Sequence, residues 1–454
     1  FTSLCQPPTP ARRSSPAMSP KSTVKNSIVL GLALFAMFFG AGNLIFPPAI
    51  GIEGGQDWFT GFIAYFVADV GLALFSVIAM LRADGQLDKV IGSVGRVPAT
   101  VLNVAIIACI GPLLAIPRTA ATTYEMGSAA LFGSELHPLA LPLFSLLFFA
   151  LVLLFSLKPG TVVSNIGRVL TPLLVATLAA LIIAGIVNPG AAAGPATAEN
   201  LIQEGVLNGY QTMDVIAALI FSIIVVQTVK DFGAASRASM AKSVGLACGV
   251  SALMLFAVYG GLAYLGATTG QLWAQEYAAG TVNQAALLTN ISQAVLGGTG
   301  SLFLAAAVFF ACFTTAVGLV TTCSEYFHQL LGERVGYPLI AAAICGVSLL
   351  LCNVGLSQII QISAPILMVV YPVALFLTVA SLAQRKPGRE RLACKLGALA
   401  ALLVSLCSVL AGSFGVEALA FVDLLPLGNL GFAWLLPTLV AAALGALVDF
   451  ARSR

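Results

Sequence analysis

Histidine is nearly absent from this 454-residue chain, which holds only His137 and His328. No imidazole cluster for a metal or haem can be built from two. Charge is scarce as well. Asp, Glu, Lys and Arg together make up 9% of residues, against roughly 25% in a soluble domain. The nine cysteines include no Cys-x-x-Cys and fall mostly within apolar stretches, where they read as small packing residues. No Walker A sequence is present, so nothing in this chain marks it as ATP-driven. Asp231-Phe232-Gly233 spells a kinase tripeptide, but no Gly-rich loop or catalytic loop accompanies it. Without a nucleophile–base pair or a metal set, no enzyme is indicated. Together these absences argue against a cytosolic enzyme, a nucleic-acid-binding protein and a secreted scaffold.

What the chain has in abundance is hydrophobicity. Apolar residues make up 59% and the mean hydropathy is +1.00. An all-α polytopic membrane protein follows. Stretches of about 20 apolar residues give twelve expected spans, at 27–50, 58–81, 99–127, 139–157, 168–187, 210–230, 243–266, 299–324, 337–353, 356–383, 393–411 and 427–450. Gln284 to Leu296 reads as an amphipathic helix outside the bilayer. Residues 1–26, rich in Ser, Pro, Thr and basic residues, read as a disordered cytoplasmic segment, and Met18 is the expected true start. No cleavable signal peptide is visible, because the first apolar run is long and continues into Pro47-Pro48.

Charge placement tests the span count independently. Twenty of the 21 basic residues fall in alternate loops, including Arg82, Lys89, Arg96, Lys230, Arg237, Lys242 and the run from Arg385 to Lys395. The positive-inside rule then puts both termini in the cytoplasm. Arg118 is the exception. It sits within the third span, where a guanidinium must face protein or water and find a partner.

The first span carries an interruption, Gly40-Ala41-Gly42-Asn43, followed by Pro47-Pro48. Glycine weakens a helix interior by roughly 1 kcal/mol against alanine, and proline lacks the amide for the next turn. Such a stretch is either a close-packing face with an ordinary proline kink or a true break lining a cavity. A broken helix offers bare amides to a carboxylate and bare carbonyls to a cation.

Phe39-Gly-Ala-Gly-Asn-Leu-Ile-Phe-Pro-Pro48 resembles the first-helix motif of the branched-chain amino acid:cation symporter family. Gly111-Pro-Leu-Leu-Ala-Ile-Pro-Arg-Thr-Ala120, Tyr210-Gln-Thr-Met-Asp214 and Cys312-Phe-Thr-Thr-Ala-Val-Gly318 resemble further motifs of that family, in the same order. One departure is Phe221-Ser222, where the family pattern has Phe-Gly, which leaves the position of a break in the sixth span open. The resemblance covers residues from about 25 to 450. It implies a single transporter domain over 27–454 with a leucine-transporter-like core, one repeat at 27–187 and an inverted one at 210–383, plus extra helices at 393–450. It further implies a cation-coupled importer of leucine, isoleucine and valine in a bacterial inner membrane, with Na⁺ as coupling ion and no cofactor. The alternatives are proton coupling, with Asp214 or Glu125 as carrier, and a channel.

The resemblance also assigns roles. The Gly40–Asn43 break would bind the substrate, with amides at Ala41 and Gly42 meeting its carboxylate and Asn43 meeting the ion or the opposite half-helix. Thr314 and Thr315, with carbonyls of Ala36, Phe39 and Ala311, would hold Na⁺, a hard cation suited to oxygen ligands. The two threonines read equally as back-bonded to their own helix. Phe221 and Ser222 would face the substrate side chain or be plain core. Arg118 and Glu125, two turns apart on one helix face, form either a gate or coupling network with Asp69 and Asp214 or a structural one.

Overall fold

The computed structural model describes residues 20–131, 139–157, 161–231, 236–384 and 388–452. The expected tail up to residue 19, with Met18, lies outside them, as does His137. The described residues are helical, and no strand occurs among them.

The first expected span is two helices, α1 (Pro20–Phe38) and α2 (Ala41–Gly54). α3 (Trp58–Phe66) and α4 (Leu72–Arg82) are joined by a π turn at Val67–Gly71. The short α5 (Leu87–Ile91) leads to α6 (Arg96–Ala108) and α7 (Ala115–Leu131). A second wide turn, Cys109–Leu113, joins these two, and in it Gly111 leaves helical geometry. α8 (Ala140–Ser156) and α9 (Thr161–Val187) follow. α10 (Leu201–Thr212) and α11 (Asp214–Asp231) meet at Met213. After them come α12 (Arg237–Ala267), the short α13 (Ala274–Ala278) and α14 (Gln284–Leu330). The chain closes with α15 (Tyr337–Cys352), α16 (Leu356–Ala383), α17 (Leu392–Gly412) and α18 (Leu435–Arg452).

Eight helical runs among the described residues are long and apolar enough to cross a membrane, and four shorter apolar helices accompany them. The α10–α11 run is the most enclosed and α18 the least. The centre of the molecule is therefore α2, α10 and α11. α18 turns Leu439, Leu444 and Leu447 outward, as a lipid-facing helix does.

Two expected helix starts need correction. The sixth span begins at Leu201 rather than 210, because Asn200 caps it, accepting from the Gln203 amide at 3.2 Å. Gln203, Glu204 and Asn208 are polar enough to hide this half-helix from an apolar window. The last helix begins at Leu435 rather than 427. Leu427 and Gly431 adopt left-handed backbone (φ 67° and 79°), which breaks an otherwise apolar run. Pro47 and Pro48 do not end α2, which runs through them to Gly54. The expected amphipathic segment at Gln284 to Leu296 is set off from the rest of α14 at Gly297, whose φ of 71° favours glycine.

The seam between α2 and α12 is made of backbone. A Cβ on Gly51 would lie 1.9 Å from the Ala263 carbonyl oxygen, and one on Gly266 would lie 2.0 Å from that of Pro48. Glycine at these two positions lets the helices touch, as small residues do in membrane bundles. Gly51→Ala should therefore lower the thermal midpoint of the purified protein in detergent, at an overpacking cost of about 1–3 kcal/mol or more. Gly249→Ala, on an α12 face with nothing within 4 Å, should melt as wild type does. Equal midpoints for both variants would mean that the two helices are not in contact at this seam.

Candidate functional site

α1 ends at Phe38, and Gly40 is extended (φ −112°, ψ −170°) before α2 begins. The Gly40 amide donates to Asn43 Oδ1 at 3.4 Å, which is half of a capping box. The carbonyl of Ala36 thereby loses its usual donor four residues on. The first amides of α2 have no partners within their own helix, and they mark its positive end.

The second interruption lies at Met213, in left-handed backbone (φ 69°, ψ 13°). α10 thus ends, and α11 starts, beside α2. The Val215 amide, in the first turn of α11, donates to the Tyr371 hydroxyl of α16 at 3.1 Å.

Asn43 joins the two interruptions. Its side-chain amide donates to Tyr259 Oη at 2.7 Å and to Asp214 Oδ2 at 2.9 Å. A third oxygen, Asp69 Oδ2, lies at 3.4 Å. The amide has two hydrogens, so the Asp69 contact is the weakest of the three. Asp69 sits in the π turn between α3 and α4, and its Oδ1 accepts from the Thr212 hydroxyl at 2.7 Å. All five residues are buried.

Arg118 reaches the same place from α7. Its guanidinium donates to the carbonyl oxygens of Gln211 and Thr212, the last residues of α10, and lies over the Phe46 ring 5.8 Å from its centroid. A cation at the C-terminal end of a half-helix meets both free carbonyls and the negative dipole end. Arg118 is 3% exposed, and its Nε has no partner.

A cavity of about 50 Å³ lies between these elements. Its lining includes Gly40, Ala41, Gly42, Asn43, Arg118, Asp214, Phe221 and Thr315. Eight of the residues singled out in the sequence are thus brought together. The others lie elsewhere. Ser222 is fully buried behind Phe221, and its hydroxyl has no partner. The Thr314 hydroxyl bonds back to the Ala311 carbonyl at 3.0 Å, as back-bonding predicts. Ala36, Phe39 and Ala311 do not line the cavity, and the Phe39 ring stacks on Phe35 and Tyr259. Glu125, two turns along α7 from Arg118, accepts from the Asn283 side chain and from the Leu356 amide at 3.2 Å. It ties α7 to the starts of α14 and α16 and stands apart from the Arg118 network. Sequence reasoning missed Tyr259, Tyr371 and Met213, since a lone Tyr or Met in an apolar run carries no signal.

A family described as "Branched-chain amino acid transport protein" matches residues 23–452. The branched-chain amino acid permease BrnQ of Salmonella typhimurium is 34% identical over 440 residues, covering 95% of this chain and 97% of the permease. Among solved structures, a nucleobase-cation-symport-1 family transporter, Mhp1, in a closed conformation, aligns with a TM-score of 0.61 at 13% identity, over 92% of this chain and 91% of its own. A Na⁺-coupled sialic acid symporter aligns with a TM-score of 0.57 at 12% identity, over 93% of this chain and 89% of its own. At such identities the structural likeness speaks for the fold alone.

Removing the Arg118 guanidinium would strip two α10 carbonyls of donors and leave the buried carboxylates without a countercharge. Arg118→Ala should lower the thermal midpoint, since leaving a buried carbonyl without its donor costs roughly 1–3 kcal/mol. Arg118→Lys should recover part of that loss, as a charge without the planar fork. An unchanged midpoint in Arg118→Ala would show that the guanidinium does not hold this junction.

Proposed function

The chain belongs to the branched-chain amino acid transport protein family, and on that premise we propose that it imports leucine, isoleucine and valine by cation symport with alternating access. The observation that carries this reading is the meeting of two interrupted helices at a cavity lined by Gly40–Asn43, Arg118 and Asp214. Half-helix ends at the middle of a bundle are the means by which transporters bind small charged solutes. The relatives are named as permeases rather than enzymes, in keeping with transport as the activity.

In this reading the twelve expected spans cross a bacterial inner membrane with both termini cytoplasmic. The α1/α2 and α10/α11 interruptions each open a block of five spans, as an inverted repeat requires. The substrate carboxylate meets the amides of Ala41 and Gly42 at the start of α2. Its apolar side chain packs on Phe221. Na⁺ is the coupling ion, held near Thr315 and the carbonyl end of α1. A Na⁺-coupled symporter of similar fold favours that ion.

The cavity, about 50 Å³, has room for about three to five waters at roughly 10–15 Å³ each. Leucine is larger, so its entry requires the lining helices to part. Size then sets selectivity: each buried methylene contributes about 0.8 kcal/mol, which favours leucine, isoleucine and valine over alanine. Lysine or glutamate would bring an unpaired charge.

Uptake of radioactive leucine into proteoliposomes tests the reading. Accumulation should fall to background when external Na⁺ is replaced by choline at fixed pH, and full uptake in choline would remove Na⁺ from the scheme. Glutamate competing as well as valine would overturn the substrate class. Thr315→Val should raise the Na⁺ concentration for half-maximal uptake, and an unchanged value would move the ion elsewhere. A Cβ on Gly42 would meet Arg118 Nη2 at 3.0 Å and the Phe46 ring at 3.2 Å. Gly42→Ala should therefore weaken leucine binding about tenfold, or about 1.4 kcal/mol, in a protein that still folds. Wild-type affinity in that variant would place the carboxylate elsewhere.

A further inference from the structure

Among the described residues, only three charged side chains are buried in the protein: Asp69, Arg118 and Asp214. They lie in one cluster. Two carboxylates and one guanidinium, all ionised, give the cluster one negative charge in excess. An uncompensated carboxylate in an apolar interior is costly, whereas a carboxylate neutralised by a proton or a metal cation is not.

Every element packed around the pair contributes groups, and none of them supplies the missing charge. α2 gives the Asn43 amide and α10 the Thr212 hydroxyl, both donating to Asp69. α7 gives Arg118, which spends its bonds on the Gln211 and Thr212 carbonyls. α12 gives Tyr259, whose hydroxyl bonds Asn43, and α16 gives Tyr371, whose hydroxyl accepts from Val215. α3 gives Tyr65. Its ring packs edge-on against Tyr259 at 5.7 Å, it is fully buried, and its hydroxyl lies beside Asp69 but makes no hydrogen bond of good geometry. A buried phenol so placed beside a carboxylate is an oxygen available to a further ligand.

We propose that Asp69 and Asp214 together bind one monovalent cation, a proton or Na⁺, which neutralises the excess charge and is exchanged during the transport cycle. This rests on the reading of the chain as a cation-coupled transporter, and it places a charge-compensating site at the α10/α11 interruption, apart from the Thr315 position. The position explains how the cation and substrate would be coupled. Asn43 bonds Asp214 with the amide of its side chain and caps the α2 break with its oxygen. Occupancy of the carboxylate pair therefore acts on the same residue that shapes the amides offered to the substrate.

Leucine binding to the purified full-length protein in nanodiscs tests this, with Na⁺ raised against choline at fixed pH and, separately, with pH lowered at fixed Na⁺. The wild-type dissociation constant should fall by about tenfold along one of these axes, and that axis names the cation. Asp69→Asn, neutral like the occupied pair, should give a constant that is flat along the same axis. A tenfold dependence retained in Asp69→Asn, or a wild-type constant flat on both axes, overturns the proposal. A dependence lost in Thr315→Val but kept in Asp69→Asn puts the cation beside α14 instead. A wild-type protein that binds no leucine under any condition defeats the transporter reading rather than the site.

A second measurement needs no variant and covers the case in which Asp69→Asn does not fold. A hydrophobic carbodiimide attacks protonated carboxyls in apolar surroundings, and peptide mass spectrometry locates the adduct on the wild-type protein. Modification of Asp69 or Asp214 should rise as pH falls. Na⁺ should suppress it if Na⁺ is the cation and leave it unchanged if the proton is. Modification that is absent, or indifferent to pH and Na⁺ alike, overturns the proposal.

Discussion

The side-chain amide of Asn43 is the interaction on which the centre of this protein depends. It meets Asp214 from the sixth span, Tyr259 from α12 and, at longer reach, Asp69 from the second span, while its oxygen takes the Gly40 amide. Two interrupted helices held apart in a low-dielectric interior would leave amides, carbonyls and carboxylates unsatisfied, at several kcal/mol each. One short amide supplies donors and an acceptor to four groups at once. An aspartate in its place would add a third negative charge to a cluster that already has one in excess.

The interior divides labour between neutral and charged groups. At the α1/α2 break the first amides of α2 have no partners within their own helix, whereas the end of α10 is closed off by Arg118. The two halves of the junction differ in this respect although both are broken helices. One has buried amides without helical partners beside glycines, and the other has carbonyls already engaged by a guanidinium. A zwitterionic solute entering between them meets amides on α2, the apolar ring of Phe221 and the Asp214 carboxylate, all on one small cavity. The wide turns at Val67–Gly71 and Cys109–Leu113 belong to the same arrangement. The first turns Asp69 inward, and the second precedes the helix that delivers Arg118.

Much of this was legible in the chain. The Gly-x-Gly-Asn break, the isolated Arg118 and the adjacent Thr315 were all readable from residue type against an apolar background, and the structure gathers them around one cavity. Most helix limits followed from hydropathy. The failures share a cause. The first half of the sixth span, Leu201–Thr212, was hidden because Gln203, Glu204 and Asn208 lower its apolarity. The position of the break stayed open because Phe221-Ser222 lacks the glycine of the family pattern, and it lies at Met213, a residue with no propensity for left-handed backbone. Tertiary contacts hold that conformation: the Arg118 bonds to the preceding carbonyls and the Tyr371 bond to the following amide. No local pattern encodes contacts made across 90 or more residues. Glu125 was grouped with Arg118 by helical spacing, but spacing along one helix does not say which neighbours each turn meets.

The glycine seam between α2 and α12 has a mechanical consequence. Where two helices meet through carbonyls and Cα atoms, with no side chains between them, neither can slide or roll without collision. α2 and α12 are therefore welded into a single strut. Any widening of the cavity has to be taken up by other joints, at the Phe39–Gly40 elbow, at Met213, and where α7 and α16 lean on α10. The strut carries both Asn43 and Tyr259, so the bond between their side chains keeps its length whichever of those joints gives.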